Sequence, residues 1–253
     1  MDEKTKVVDV ILPNFNGEKT LRETISSIIN QTFKNFNLYI IDDFSNDKSV
    51  QIVKSFSDPR INIIELKKNK GVYFCRNLGI RISNSKYLAF IDSDDYWDKD
   101  KLRKQINFMQ KFNHKFTYTD YIPFKEINEK KLFKKKINVK GKFNLEEFIN
   151  NSSIAMSTVI VERSLIKNLK FKKLKICEDY LFKCEILKKQ DAYKCEDVVM
   201  FYRISKNSLQ SNKLRNIYWV WLINRKYNKL NLLKNIISLF SISINSIRKY
   251  GFK

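Results

Sequence analysis

Short runs of valine, isoleucine and leucine alternate with longer amphipathic segments over the first half of the chain. Continuous apolar runs of this length are typical of buried strands, and segments with apolar residues at helical spacing are typical of crossover helices. The predicted strands are residues 7–12, 38–41, 61–66 and 87–91, and the predicted helices are 17–31, 47–56, 71–82 and 99–111. The pattern indicates an α/β fold with a mostly parallel sheet flanked by helices.

The second half of the chain has a weaker pattern, with an irregular lysine-rich segment at residues 125–142. Its predicted elements are a helix near residues 145–150, a strand at 156–161, a helix from about residue 178 and a strand at 198–202. From about residue 212 the pattern is wholly helical. We therefore expect one domain at residues 1–211 and a helical extension at residues 212–253.

Carboxylates follow two of the predicted strands, at residues 42–43 and in the Asp-Ser-Asp-Asp segment at residues 92–95. Ligands of open α/β sheets bind at the carboxyl edge of the strands, where these residues lie. Three carboxylates within four residues repel one another unless a cation or hydrogen-bond donors compensate. Mg²⁺ or Mn²⁺ would suit such oxygen ligands and take its other ligands from water and substrate phosphates. A solvated turn before the next helix is the alternative.

The formal net charge is +22, and its distribution is uneven. After Asp197 the chain has no acidic residue, whereas eleven lysines and arginines follow. Such a field attracts polyanions such as nucleic acid or anionic lipid. The alternative is a compositional bias toward lysine that carries no function.

Cysteines, apolar runs and the amino terminus bear on the compartment. Cys75, Cys177, Cys184 and Cys195 show no CxxC spacing, and the single histidine, His114, offers them no metal-binding partner. We expect reduced thiols. No run of about 18 apolar residues predicts a membrane-spanning helix, and the amino terminus lacks the pattern of a signal peptide. These features favour a cytoplasmic protein, either free or peripheral at the inner face of the plasma membrane.

Six segments, in order along the chain, resemble the motifs of family 2 glycosyltransferases as far as about Ser211. They are residues 8–16 (VDVILPNFN), 40–45 (IIDDFS), 69–79 (Asn-Lys-Gly, then Arg76, Asn77 and Gly79), 90–95 (FIDSDD), 177–180 (CEDY) and 202–208 (Tyr202-Arg203-Ile204 and Ser208). The resemblance implies a GT-A fold, with a nucleotide-binding half at about residues 1–98 and an acceptor half at about residues 99–211.

The resemblance also implies a binding site for a nucleotide-sugar donor. Pro13 and Phe15 would form the donor loop, with Phe15 stacking on the base where the family usually has tyrosine. Asp43 would hydrogen-bond the nucleobase, and Arg76 would lie near the donor. Arg203 would border the donor diphosphate, although a surface charge would explain it equally well.

The metal motif and the base follow from the same resemblance. Asp92 and Ser93 would face the ribose or sugar of the donor, and Asp94, with Asp95 beside it, would bind Mn²⁺ or Mg²⁺. Asp179 would be the general base that deprotonates the acceptor hydroxyl, with Glu178 next to it. An acidic first helical turn, favoured by the helix dipole, is the alternative for Glu178 and Asp179.

The sequence thus predicts an inverting hexosyltransferase of the bacterial surface-polysaccharide type, with UDP as the expected carrier and a glycan or lipid-linked glycan as acceptor. The chain lacks the QxxRW sequence of processive relatives, so we expect one sugar per binding event. A dehydrogenase is excluded because no GxGxxG follows the first strand. A metal-dependent sugar nucleotidyltransferase and a basic nucleic-acid-binding module are the alternatives, and the aliphatic character of the basic helices argues against nucleic acid.

The carboxyl-terminal segment has the pattern of an amphipathic helix. Its apolar side carries Leu233, Ile236, Ile237, Phe240, Ile244 and Ile247, and its polar side carries Lys234, Asn235, Ser238, Ser241, Asn245 and Arg248. Two interpretations remain open: the apolar side packs on the domain, or it lies on an anionic membrane surface.

Overall fold

The computed structural model describes residues 6–205 and 213–250. In chain order it contains β1 (Val8–Asn14), α1 (Leu21–Ile29), β2 (Phe36–Asp42), α2 (Ser49–Lys54), β3 (Ile61–Glu65), α3 (Val72–Ile82), β4 (Tyr87–Phe90), β5 (Tyr96–Trp97), α4 (Lys101–Phe112), β6 (Phe116–Ile127), β7 (Lys130–Phe133), β8 (Lys142–Phe143), α5 (Leu145–Ile149), β9 (Ile160–Glu162), α6 (Arg163–Ile166), α7 (Glu178–Leu187), β10 (Ala192–Arg203), α8 (Lys213–Lys226) and α9 (Leu232–Tyr250).

The described strands form one sheet of the order β3-β2-β1-β4-β9-β6-β10-β5, with β7 paired to β6 and β8 to β10. Strands β3, β2, β1 and β4 are parallel, as the sequence predicted. The second half makes the sheet mixed, because β9 runs antiparallel to both β4 and β6. The prediction of an α/β sheet flanked by helices is confirmed; the first half of the chain supplies four adjacent parallel strands, and β6 and β10 of the second half form a further parallel pair.

Strand β1 lies in the middle of the parallel part and is buried at all seven positions. Helix α3 packs closely on it, since a Cβ atom added to Gly79 would lie 2.5 Å from Cγ2 of Ile11. This distance is too short for any larger side chain. Close packing of α3 on β1 brings the amino-terminal turns of α3 toward the carboxyl edge of the sheet.

Strand β6 is the main element that the sequence pattern missed. It spans Phe116–Ile127 and runs parallel to β10, in a part of the second half for which the sequence pattern predicts no element. Its first six residues are all buried, including Thr117, Thr119 and Asp120. Asp120 is buried because its carboxylate accepts the backbone N–H of Val139 at 2.8 Å. Because these buried residues are polar, the segment lacks the apolar run from which a buried strand is predicted.

The predicted strand at residues 156–161 is shorter than expected. Residues Met156–Thr158 form a 3₁₀ turn, and only Ile160–Glu162 continue as strand β9. The turn places the hydroxyl of Ser157 where it accepts the backbone N–H of Asp92 at 3.0 Å. It therefore supports the end of β4.

The two carboxyl-terminal helices attach to the domain through polar side chains. Asn224 of α8 accepts a hydrogen bond from the Tyr180 hydroxyl at 2.9 Å and donates one to Ser238 of α9 at 3.0 Å. Ser238 in turn donates to the Ile149 carbonyl at 2.5 Å, and Asn235 to the Trp221 carbonyl at 3.2 Å. The inner side of α9 is thus polar over the first half of the helix.

The opposite side of α9 leaves large apolar side chains in solvent. Those at least half exposed are Leu232, Leu233, Ile236, Ile237 and Phe240. Packing of the apolar side on the domain is therefore wrong for this half of the helix, although Leu239 and Ile242 do contact the core. None of the helices in the described ranges is both long enough and apolar enough to cross a bilayer.

Candidate active site

A cleft of about 940 Å³ opens at the carboxyl edge of the parallel strands. All eleven residues that the sequence placed in a site line it: Pro13, Phe15, Asp43, Arg76, Asp92, Ser93, Asp94, Asp95, Glu178, Asp179 and Arg203. They come from the ends of β1, β2, β4 and β10 and from the starts of α3 and α7. The topology thus brings six separate segments of the chain into one cavity.

The first wall of the cleft is built by the loops after β1 and β2. Phe15 lies on its rim with 52% of the residue exposed. Asp43 is buried and accepts the backbone N–H groups of Lys70 and Gly71, both at 2.7 Å. Gly71 has a φ of 88°, which favours glycine. Asp43 therefore holds the entry to α3 and also lines the cleft.

A network that the motifs did not reveal supports this wall. The Asn14 side chain donates to Asp42 at 2.8 Å and to Ser45 at 3.2 Å, and Ser45 also donates its hydroxyl to Asp42 at 2.7 Å. Gly17 is needed beside it, because an added Cβ atom would lie 2.2 Å from Oδ1 of Asn14. These polar contacts fix the position of Phe15 relative to Asp43.

Arg76 of α3 joins two acidic groups across the cleft. Its buried guanidinium donates to Asp92 at 2.6 Å and to Glu178 at 2.9 Å, and it lies 5.3 Å from the ring centroid of Phe171. Burial alone would lower the pKa of Arg76, but Asp92, Glu178 and Asp179 raise it above the ordinary value. The charge of Arg76 is therefore permanent and offsets part of the negative charge of the cleft.

Asp94 and Asp95 differ in their surroundings. Asp95 is buried, and its carboxylate accepts the Ser157 hydroxyl at 2.6 Å and the backbone N–H of Arg203 at 3.0 Å. Asp94 receives no side-chain hydrogen bond from the residues of ranges 6–205 and 213–250. Burial and the nearby charge of Asp92 raise its pKa to about 6. Asp95 holds the turn together, whereas Asp94 presents a poorly compensated carboxylate.

The residues present fit a divalent cation that is bound jointly with a ligand. Within the described part of the chain, no group of three or more histidine, cysteine, aspartate or glutamate side chains could hold a metal alone. Mg²⁺ and similar cations commonly use one or two carboxylates and complete their shell with phosphate oxygens and water. Asp94 can serve as such a carboxylate because, within the described part of the chain, no side chain donates a hydrogen bond to it.

Glu178 and Asp179 open helix α7, after Cys177 in a left-handed conformation with a φ of 63°. Asp179 accepts a hydrogen bond from Lys183 at 2.8 Å, and Lys183 also donates to the Ile154 carbonyl at 2.7 Å. Burial would raise the pKa of Asp179, but Lys183 and Arg76 lower it below the ordinary value. Burial raises the pKa of Glu178 in spite of the nearby Arg76. Asp179 is thus the more readily ionised carboxylate.

Arg203 at the end of β10 is buried, so it is not the surface charge that the sequence left as an alternative. Its guanidinium pairs with Glu23 and Glu126 and donates from Nε to the Asp94 carbonyl at 2.9 Å. The backbone of the Asp92–Asp95 turn is therefore held by Arg203. Contact of this side chain with a donor diphosphate stays a prediction.

The far wall of the cleft comes largely from α8 and α9, which lie outside the predicted domain at residues 1–211. Apolar side chains of α8 and α9 line it together with the loop after α5 and with one basic residue: Ile217, Val220, Leu239, Ile242, Ile247, residues 151–154 and Lys249. Helical periodicity identified α9 but gave no signal of which side would face a cavity. The helical extension therefore contributes to the same cleft as the predicted site residues.

Comparisons with known proteins agree with the motifs. The model of Glycosyl transferase family 2 matches residues 9–169. The Escherichia coli UDP-Glc:alpha-D-GlcNAc-diphosphoundecaprenol beta-1,3-glucosyltransferase WfgD is 32% identical over 248 residues, which cover 97% of this chain and 96% of that protein. The fold is similar to Staphylococcus aureus TarS 1-349 in complex with UDP-GlcNAc, at a TM-score of 0.72, 20% identity and coverage of 97% and 75%.

A second solved structure has a similar fold. The mannosyltransferase PcManGT from Pyrobaculum calidifontis, in complex with GDP-Man and Mn²⁺, superposes at a TM-score of 0.68 with 15% identity. The match covers 99% of this chain and 77% of that one. At this identity the likeness concerns the fold, which in both cases is that of a GT-A glycosyltransferase.

Proposed function

The chain belongs to glycosyl transferase family 2, and from that premise we propose that it transfers one hexose from a UDP-sugar to a hydroxyl of a lipid-linked glycan, with inversion at the anomeric carbon. The observation that carries this proposal is the single cleft that holds the donor loop, Asp94 and Asp179 together. The expectation of a glycosyltransferase is confirmed by the family, and the nucleotidyltransferase alternative is set aside.

The chemistry assigns a part to each wall of the cleft. Phe15 would stack on the uracil, and Asp43 would accept a hydrogen bond from it. A divalent cation bound at Asp94 would supply positive charge to the departing diphosphate. Asp92 and Ser93 would contact the ribose or sugar. Arg76 keeps Asp92 and Glu178 in place.

Asp179 would act on the acceptor. Its carboxylate takes the proton of the acceptor hydroxyl while the hydroxyl oxygen forms a bond to the anomeric carbon from the face opposite the diphosphate. The bond between that carbon and the diphosphate oxygen breaks at the same time, and UDP leaves with the bonding electrons. One displacement inverts the anomeric configuration. Ionisation of Asp179 at neutral pH, which Lys183 favours, keeps the base in its proton-accepting form.

A lipid-linked acceptor is supported by the relatives and by the tail. WfgD is named for an acceptor in which a sugar is joined to undecaprenol through a diphosphate. Transfer at the cytoplasmic face of the plasma membrane would fit such an acceptor, as in assembly of bacterial surface polysaccharides. The absence of QxxRW supports addition of one sugar per binding event.

The donor assignment is tested by hydrolysis without acceptor. The protein is incubated with Mn²⁺ and panels of UDP-, GDP- and dTDP-sugars, and release of the free nucleoside diphosphate is measured. We expect slow release from one UDP-sugar, and a higher melting temperature with UDP and Mn²⁺ because these ligands bind only the folded state. Single-stranded DNA is the control for the charge of +22. Stabilisation by DNA without any by UDP would contradict the proposal.

The exposed side of α9 supports contact with anionic lipid. Leu233, Ile236, Ile237 and Phe240 are each at least half exposed, and Lys234 beside them is exposed as well. An exposed apolar surface of this kind marks an interaction site. Each basic residue near an anionic bilayer contributes about 1 kcal/mol of attraction. The absence of any acidic residue after Asp197 removes repulsion from such a surface.

Membrane binding should therefore depend on these side chains. We expect the full chain to co-sediment with vesicles that contain anionic lipid at low salt, and the triple variant Leu233→Gln, Ile237→Gln, Phe240→Gln to stay in the supernatant. Removal of the tail is a poor test, because Asn224 and Ser238 anchor it to the domain. Phe112→Gln, at a similarly exposed position of α4, is the matched control. Equal sedimentation of the triple variant and the wild type would refute membrane contact through α9.

A further inference from the structure

Lys249 is a half-buried charge that the proposed chemistry does not use. It lies near the end of α9 and lines the same cleft as Asp179. Its ammonium group contacts the hydroxyl of Ser153, and no carboxylate of the described residues pairs with it. Burial lowers its pKa to about 8. Removing an ammonium from water without a carboxylate partner is unfavourable even when the burial is partial, and Lys249 lines a cavity, so an anionic ligand in that cavity would be a suitable partner.

The position of Lys249 is on the acceptor side of the cleft. Lys183 connects Asp179 to the Ile154 carbonyl, and Ile154 follows Ser153, which contacts Lys249. The loop that carries Ser153 is fixed from α9, because Asn245 donates to the Asn150 carbonyl at 3.2 Å. A short series of contacts therefore runs from the base to Lys249. The donor loop and Asp94 belong to other segments of the wall.

Apolar side chains surround this end of the cleft. Leu239, Ile242 and Ile247 of α9 and Ile217 of α8 line it near the carboxyl-terminal helices. The ammonium of Lys249 can donate charge-assisted hydrogen bonds to phosphoryl oxygens. The Ser153 hydroxyl donates its proton to Asn151 and accepts from Lys249, so its part is to position the ammonium. Apolar walls next to this ammonium suit a molecule that carries a phosphate between a sugar and a hydrocarbon chain.

We propose that Lys249, positioned by Ser153, forms a phosphate subsite that binds the phosphoryl group joining the acceptor sugar to its lipid. The apolar residues of α8 and α9 then receive the first part of the lipid chain. This inference rests on the proposed function, since it names how the same cleft selects its acceptor. It makes Lys249 a specificity-determining residue rather than a member of the catalytic machinery.

The subsite is tested by direct binding of farnesyl diphosphate, with the donor site saturated by UDP and Mn²⁺. Isothermal titration compares farnesyl diphosphate with farnesol and with inorganic pyrophosphate. We expect farnesyl diphosphate to bind tightest, and Lys249→Gln to weaken it roughly 10- to 100-fold, as for the loss of a charge-assisted hydrogen bond. Ser153→Ala should weaken it less. Lys189→Gln, at an exposed position in the turn after α7, is the control that should bind as the wild type does.

The possible results distinguish a lipid-linked phosphate from free pyrophosphate, and they distinguish failure of the subsite from failure of the donor assignment. Equal binding of farnesyl diphosphate by Lys249→Gln and the wild type, or equal binding of farnesol and farnesyl diphosphate, would overturn the subsite. Pyrophosphate binding as tight as that of farnesyl diphosphate would overturn the lipid-linked part of the assignment. Failure of the wild type to bind UDP would instead count against the donor assignment. An unchanged melting temperature of Lys249→Gln shows that the variant is folded.

Discussion

Chelation of divalent metal by EDTA should abolish sugar transfer, and Asp94→Ala should cause the same loss in the presence of Mn²⁺ or Mg²⁺. The donor diphosphate brings negative charge into a cleft that already holds several carboxylates, and Asp94 accepts no hydrogen bond from a side chain of the described residues. Transfer is measured with and without EDTA, and again after addition of excess Mn²⁺. Full activity in EDTA would remove the metal from the mechanism.

The same variant should leave the fold intact or stabilise it slightly. The pKa of Asp94 is raised to about 6, so the folded state disfavours its ionised form. Ionisation of Asp94 therefore costs folding free energy above about pH 6, and the cost vanishes well below pH 4, where the group is protonated in both states. Without metal, the melting temperature of Asp94→Ala should equal or exceed that of the wild type at pH 7, with a smaller difference at pH 4.

Two matched variants sharpen the metal test. Asp95→Ala should lower the melting temperature, because it removes the acceptor of the Ser157 hydroxyl and of the Arg203 N–H. Asp191→Ala removes a partly exposed carboxylate that pairs with Lys142 and does not line the cleft. It should keep the activity and its sensitivity to EDTA. If Asp95→Ala lost the metal-dependent activity while its melting temperature stayed normal, Asp95 would be the metal ligand.

Asp179→Asn should lower kcat by roughly 10²-fold or more while donor affinity changes little, since an amide cannot take the proton of the acceptor hydroxyl. Burial would raise the pKa of Asp179, but the charges of Lys183 and Arg76 lower it below the ordinary value. Its ionised form therefore stabilises the fold at neutral pH, and this contribution is lost on acidification. The variant should also melt at a lower temperature at pH 7. Steady-state kinetics and UDP titration separate the two effects.

Phe15→Ala is the control for Asp179→Asn, because it should change donor binding rather than turnover. Phe15 lies on the rim of the cleft, so its removal should raise the KM for the donor with a small effect on kcat. Asp43→Ala should also weaken donor binding, and it would in addition release the backbone of Lys70 and Gly71. Near-normal turnover of Asp179→Asn would transfer the role of base to Glu178.

The parallel half of the fold and the site could be predicted because both depend on local patterns. The segments of β1, β2 and β4 are rich in apolar residues, and predicted site residues follow directly after each of them. Since the ends of parallel strands meet at one edge, residues as distant as Asp43 and Asp94 had to converge. The identity of the chemistry came from the resemblance in the motifs.

Two features could not be predicted because they depend on contacts between distant segments. Strand β6 buries Thr117 and Asp120, which pair with Gln105 of α4 and with the backbone N–H of Val139. The side of α9 that faces the domain carries Asn235 and Ser238, which pair with a backbone carbonyl of α8 and of α5. Hydrophobic periodicity assigns such residues to the solvent, and the reverse holds here.

Helix α9 has the interior of the cleft on one side and an exposed apolar surface on the other. With this surface in the bilayer, the acceptor would be delivered by lateral diffusion within the membrane rather than from bulk solution. The rate of transfer would then follow the mole fraction of acceptor lipid in the vesicle surface, and dilution with inert lipid at constant total acceptor would slow the reaction. The helix would thereby convert a reaction in three dimensions into an encounter in two.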